Sequence, residues 1–167
     1  RSQARVKIMR LFLVHDEAVF DPETIRKKAK VSAQTLTKEL RILEQSGFLK
    51  KKKTSITVKL KTKTKKKVVP GYQLNNSYQF LAPLQSLING DSVLNNKELT
   101  KKLHPIGKIT TIVSAGFFVQ DPDGRIDLLI AGDIINTTKV TTVIADIESE
   151  LGRELRYAVF QTDDFKY

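Results

Sequence analysis

The chain has no cysteine and no tryptophan, and a single methionine among its 167 residues. Without cysteine there can be no disulfide, no thiolate zinc site and no cysteine nucleophile. A reducing compartment suits such a chain, and a cytoplasmic protein is expected. Long apolar runs are also missing. The longest nearly uncharged one, from Ile109 to Val119, falls well short of the roughly 20 residues that span a bilayer. No signal-peptide pattern is visible, and no membrane partner is expected. The two histidines, His15 and His104, lie far apart without metal-ligand spacing. There is no glycine-rich phosphate loop and no Ser-His-Asp arrangement. No metal site and no cofactor are therefore expected.

Acidic residues are scarce in one half only. Residues 1–90 hold 20 Lys/Arg against 6 Asp/Glu, a net of +14. Residues 91–167 hold 9 against 12, a net of −3, which together give the overall +11. Such asymmetry points to a nucleic-acid module, 1–90, joined to a domain with another task, 91–167. At 40% hydrophobic content both can bury a core.

The first half begins with helical periodicity over 2–14, where Val6, Met9, Leu11, Leu13 and Phe12 supply an apolar face. Asp21-Pro22-Glu23 then reads as an N-cap, a first-turn proline and a dipole-favoured acid. A short helix follows to Ala29, with Ile25 and Ala29 inward. Lys30-Val31 turns the chain, and Ser32 caps a second helix whose Leu36, Leu40 and Leu43 share one face. Gly47 ends it in a left-handed position. Two helices joined by so short a turn make a helix-turn-helix. Beyond Gly47 the period changes to two: Ile56, Val58 and Leu60 alternate with polar residues. Val68, Val69, Tyr72 and Leu74 form the return strand of a hairpin with a basic tip over 61–67. A further helix from Tyr78 to Ile88 carries Phe80, Leu84 and Leu87.

Asn89-Gly90-Asp91 breaks the chain. In the second half a helix is expected over Leu94–His104, stopped by Pro105, and a buried strand over Ile109–Val119. Asp121-Pro122-Asp123-Gly124 is a turn signal. A strand over Ile126–Ala131, an amphipathic helix over Thr138–Leu151 closed by Gly152, and a strand over Leu155–Phe160 complete an α+β layer.

Packing Leu36, Leu40 and Leu43 inward turns Gln34, Thr35, Thr37, Lys38 and Arg41 outward, next to the cap Ser32. Amide, hydroxyl and cationic groups match base edges and phosphates of the major groove, where glutamine pairs with adenine and arginine or lysine with guanine. The same groups would also serve as a plain solvated surface; their place between a short helix and a basic hairpin favours double-stranded DNA. The hairpin supplies ten lysines: Lys50, Lys51, Lys52, Lys53, Lys59, Lys61, Lys63, Lys65, Lys66 and Lys67. Lysine is a compact point charge suited to phosphate rather than to base identity.

Asp21-Pro22-Glu23-Thr24-Ile25, Val31-Ser32, Thr35-Leu36-x-Lys38-Glu39-Leu40 and the ending Leu43-Glu44-x-x-Gly47-Phe48-Leu49-Lys50 resemble the winged helix-turn-helix of prokaryotic transcription regulators of the MarR-like and ArsR-like kind. The resemblance covers about residues 2–76. It implies a DNA-binding regulator, and regulators of this type commonly bind as two-fold dimers, so a homodimer is expected.

The second half resembles the minimal nucleotidyltransferase domain. The resemblance rests on Ile126-Asp127-Leu128-Leu129-Ile130-Ala131-Gly132-Asp133, on the helix ending Glu148-x-Glu150-Leu151-Gly152-Arg153-Glu154-Leu155, and on Tyr157-Ala158-Val159-Phe160 with Asp163-Asp164-Phe165. An active member carries a Gly-Ser turn and then Asp-x-Asp, whose aspartates hold Mg²⁺ against the triphosphate. Here that strand reads Arg125-Ile126-Asp127, and the turn falls on Ala115-Gly116 or Ser114-Ala115-Gly116. Leu155-Arg156-Tyr157 offers no third acid. The resemblance thus implies a degenerate, non-enzymatic domain for sensing or dimerisation. Arg125 and Asp127 would be a remnant ligand site, or Asp127 a polar cap on a strand. Two other functions compete: a nucleotidyltransferase that uses the winged helix to hold its substrate, which Arg125 opposes, and a protein-interaction module, which the +14 half opposes.

Overall fold

The structure, a computed structural model, describes residues 2–59, 64–89, 94–121 and 123–164. It is mixed α and β with two small sheets. The chain forms two compact units, residues 1–90 with 149–152 and residues 91–148 with 153–167.

The first unit contains α1 (Gln3–Val14), α2 (Pro22–Ala29), α3 (Ala33–Gln45), β1 (Leu49–Lys59), β2 (Thr64–Leu74) and α4 (Leu81–Asn89). Helix starts follow from local chemistry. Asp21 accepts from the backbone N–H groups of Glu23 and Thr24, with Pro22 behind it, and Ser32 accepts from Thr35 N–H. Each bond satisfies an N–H that the helix itself cannot pair. Lys30 and Gly47 adopt left-handed φ of 50° and 79° where α2 and α3 stop. The core joins Ile8, Leu11, Phe12 and Leu13 of α1 to Ile25, Ala29, Leu36, Leu40, Leu43, Phe48, Leu49 and Leu74. The inward stripe of α1 therefore starts at Ile8, and Val6, expected inside, is 41% exposed. Two residues along a helix is about 200°, so Val6 and Ile8 cannot share a face.

Glu39 is a buried carboxylate on α3 that sequence patterning did not single out. Ser2 Oγ donates to its Oε1 at 2.6 Å and Arg5 Nε to its Oε2 at 2.7 Å. Burial by itself opposes ionisation, but these bonds and the charge of Arg5 outweigh it and hold Glu39 below the ordinary glutamate range.

β1 and β2 pair antiparallel from Leu49↔Leu74 to Lys59↔Thr64. The strand thus begins seven residues before the expected Ile56, because Leu49 and Leu74 bury at the hairpin root. Each strand has 11 residues, about 34 Å of ribbon. Phe20 and Tyr72 exchange backbone hydrogen bonds of 3.0 and 2.8 Å, tying the root to the segment before α2. α4 starts at Leu81 rather than Tyr78, so Leu81, Leu84 and Ile88 pack inward at helical spacing. Phe80 and Leu87, expected to pack, are 53% and 75% exposed.

The second unit contains α5 (Asn96–Leu103), β3 (Lys108–Ser114), β4 (Leu128–Asp133), α6 (Thr137–Leu151, its last turn grouped with the first unit) and β5 (Tyr157–Gln161). Asn95 and Glu98 form a capping box at the start of α5. The sheet order is β3-β4-β5, antiparallel on one side of β4 and parallel on the other. α6 is the connection that a parallel pair requires. The buried strand is the central β4, not β3, which is an edge strand with alternating burial. β3 also stops at Ser114, and Gly116–Val119 is a 3₁₀ turn, where a strand to Val119 was expected. Gly116 has φ +46°, which ends extended pairing.

Gly71 lies where the root is tightest: an added Cβ would sit 3.0 Å from Phe20 O and Val19 Cγ1 and 3.1 Å from Lys52 O. G71V is expected to destabilise the chain by about 1–3 kcal/mol through overpacking. Urea unfolding measures this; an unchanged midpoint would show that the root relaxes freely.

Candidate nucleic-acid interface

α3 presents Gln34, Thr37, Lys38 and Arg41 as exposed residues opposite buried Leu36, Leu40 and Leu43. Three of the expected contact groups are committed locally. Ser32 Oγ donates to Thr35 Oγ1 at 2.8 Å while capping α3, and Thr35 is half-buried. Thr37 Oγ1 donates to Ala33 O at 3.0 Å. The side chains left for an outside ligand on this face are Gln34, Lys38 and Arg41, joined by Gln45, which sequence reading missed. A shallow hollow on the face is lined by Gln34, Thr37, Lys38, Arg41, Ile42 and Gln45. A second hollow, with Thr37, Arg41 and Gln45 in common, runs between α3 and the hairpin root past Pro22, Glu44, Lys51 and Tyr72.

Lys50, Lys51, Lys52 and Lys53 are exposed along β1, and Lys66 and Lys67 along β2. Lys59 pairs with Thr64 and Lys65 with Val58 in the ladder. Lys61 and Lys63 lie outside the described residues. Lys51 Nζ lies 2.8 Å from Glu44 Oε1, and the hydrogen bond and charge of Glu44 raise its pKa. Glu44 was legible only as part of a motif; its partner is seven residues further on in a different element. Lys52 Nζ donates to Gln73 Oε1 at 3.3 Å, and Gln73 Nε2 donates to Glu17 O.

Three cations away from this face are compensated. Arg26 and Lys27 both approach Glu23, at 2.8 and 3.6 Å, and Arg5 meets Glu39. Hydrogen bonds from Arg26, with its charge and that of Lys27, hold Glu23 at about 2. Lys38, Arg41, Lys50, Lys53, Lys66 and Lys67 have no ion pair among the described residues. Uncompensated charge therefore gathers on the outer face of α3 and along the hairpin.

In the second unit Asp127 is fully buried just before β4. The backbone N–H groups of Phe117 and Arg156 donate to it at 2.9 Å each. Arg156 Nε and Nη2 donate at 3.2 and 3.1 Å. The cation beside Asp127 is thus Arg156, not the expected Arg125, which is exposed. Burial opposes the ionised form, but these four bonds and the guanidinium charge prevail and hold the carboxyl at about 2. A Cβ on Gly116 would collide with Asp127 Oδ1. Among the described residues no three His, Cys, Asp or Glu side chains converge as a metal site would need. Nor, among them, is any helix long and apolar enough to cross a membrane.

No family model, curated protein or solved structure matches this chain.

Because the folded pKa of Asp127 lies below its ordinary value, its contribution is complete above about pH 5 and fades as pH falls toward about 2. D127N is expected to cost on the order of 2 kcal/mol at pH 7 and to flatten the acid limb of the stability profile. Urea unfolding between these pH values decides; identical profiles for the two proteins would remove Asp127 as a clamp.

Proposed function

We propose that this chain is a DNA-binding transcriptional regulator of the cytoplasm whose first unit is a winged helix-turn-helix. The carrying observation is the uncompensated charge on the outer face of α3 and the adjoining hairpin, in a unit where Arg5 and Arg26 sit on Glu39 and Glu23. In this reading α3 lies in the major groove. Gln34 and Gln45 address adenine, and Lys38 and Arg41 address guanine or phosphate. On the hairpin, Lys53 and Lys66 hold phosphates of this duplex and carry no base information. The α2–α3 corner, with its side-chain caps and left-handed turn, supports the motif assignment because it fixes how α3 is presented.

The second unit is proposed to be a degenerate nucleotidyltransferase-like domain that senses or dimerises, not an enzyme. The arrangement around Asp127 supports this. Both carboxylate oxygens are already taken by four donors, two of them from a guanidinium. A divalent cation there would have to displace the arginine and leave backbone N–H groups unpaired, which is costly for buried donors.

Fluorescence anisotropy on the upstream region of its own gene, against random duplex, tests the reading. K38A/R41A is expected to lower specific affinity by about 10- to 100-fold and to erase the preference. K53S/K66S is expected to weaken all sequences alike and to reduce the salt slope by about 1–2. Unchanged affinity of K38A/R41A at fixed salt would take α3 out of the groove. A homodimer on half-sites about 34–36 Å apart is also proposed; sedimentation showing only monomer, free and on DNA, would dismiss it.

A further inference from the structure

We infer that the hairpin has two phosphate-binding faces and that the outer one takes a second DNA duplex, so that the protein bridges two duplex segments. The inference rests on the DNA reading of α3 and goes beyond it.

Successive residues of a strand point to opposite sides, and directly paired residues share a side. Lys51 reaches Glu44 of α3 at 2.8 Å, so the side that holds Lys51 and Lys53 is the side of α3. Lys50 and Lys52 point the other way. The Lys52–Gln73 bond agrees, since Gln73 is the ladder partner of Lys50 and shares that outer side. Lys67 pairs with Ile56, which has the same parity as Lys50 and Lys52, and Lys66 pairs with Thr57, which has the parity of Lys51. Each of these lysines is exposed. The ribbon therefore carries cations on both sides, whereas a duplex held by α3 covers one.

Lys50 and Lys52 stand about 7 Å apart along the strand, which corresponds to about two steps of phosphate rise on one DNA strand. Glu17, whose carbonyl receives Gln73, marks the root end of the outer side, so a second polyanion would follow the ribbon from Lys50 toward Lys67. The one aromatic in β1 and β2, Tyr72, lies half-buried on the inner side. Unpaired bases need exposed rings to stack on. Among the described residues the outer side of the ribbon carries lysines, Thr54, Ile56, Val69 and Gln73 but no ring, which favours a duplex over a single strand.

The test mixes donor-labelled and acceptor-labelled short duplexes with the full-length chain and reads energy transfer between them, with anisotropy on one duplex alongside. The wild-type chain should produce transfer. K50S/K52S/K67S should abolish it while keeping single-duplex affinity within about threefold, since outer charges are screened from the first duplex at physiological salt. Single-duplex binding by the wild type without transfer would overturn the proposal, as would transfer that survives in the triple variant and so comes from two α3 faces of a dimer. Stronger competition by single-stranded RNA than by duplex would overturn the assignment of the partner. Absence of any duplex binding by the wild type would instead fell the DNA reading itself, and this inference with it.

Discussion

The rotational setting of α3 depends on one buried carboxylate. Glu39 sits on the inner side of the helix and is held by Ser2 and Arg5 at the start of α1. Three leucines alone would hold the helix against the core but would tolerate some roll, because apolar contact is not directional. Two charge-assisted bonds are directional. They fix which residues are left outside, and so fix Gln34, Lys38 and Arg41 as the outward row. Arg5 is 40% exposed while Glu39 is 5% exposed, so the pair is anchored at the carboxylate end and wetted at the other. A removed Arg5 would leave Glu39 without its main counter-charge in a dry site, which is the costly direction in which to break such a pair.

Much of the first unit could be read from local signals. Asp21, Pro22, Ser32 and Gly47 mark helix ends through chemistry confined to three or four residues, and the structure uses each of them as read. The leucine face of α3 follows from helical period alone. The misjudged features depend on tertiary partners. Lys50 to Lys53 carry no strand signal of their own, yet they are strand because Leu49 and Leu74 bury on either side of the root. The partners of Glu39 lie 34 and 37 residues away, and nothing local announces them. On α1 the inward stripe holds Ile8 and leaves Val6 outside, because helical phase and not apolar character alone sets the buried face.

In the second unit the β-branched run from Ile109 suggested a longer and more buried strand than β3. β-branched content reports fit to a pleated surface, not whether that surface is central or an edge. The Asp127 clamp was read with the wrong arginine. Arg125 is two residues away in sequence, but that stretch lies before β4 and Arg125 is exposed, while Arg156 arrives from the segment leading into β5. A single carboxylate thereby ties the turn after β3, the start of β4 and the approach to β5. Those three segments meet at one end of the sheet, and the carboxylate does there the work of satisfying backbone donors that no strand pairing reaches.

The hairpin can also be regarded as a lever. Its fulcrum is the pair of backbone bonds between Phe20 and Tyr72, closed by the glycine at position 71. From that fulcrum to Thr64 is about 27 Å, so a tilt of about 5° carries the far end through about 2 Å. The segment that supplies Phe20 leads directly into the cap of α2. Small displacements in the α1–α2 link are thus magnified at the lysine-rich end, and the mechanical gain is set by strand length rather than by any contact at the tip.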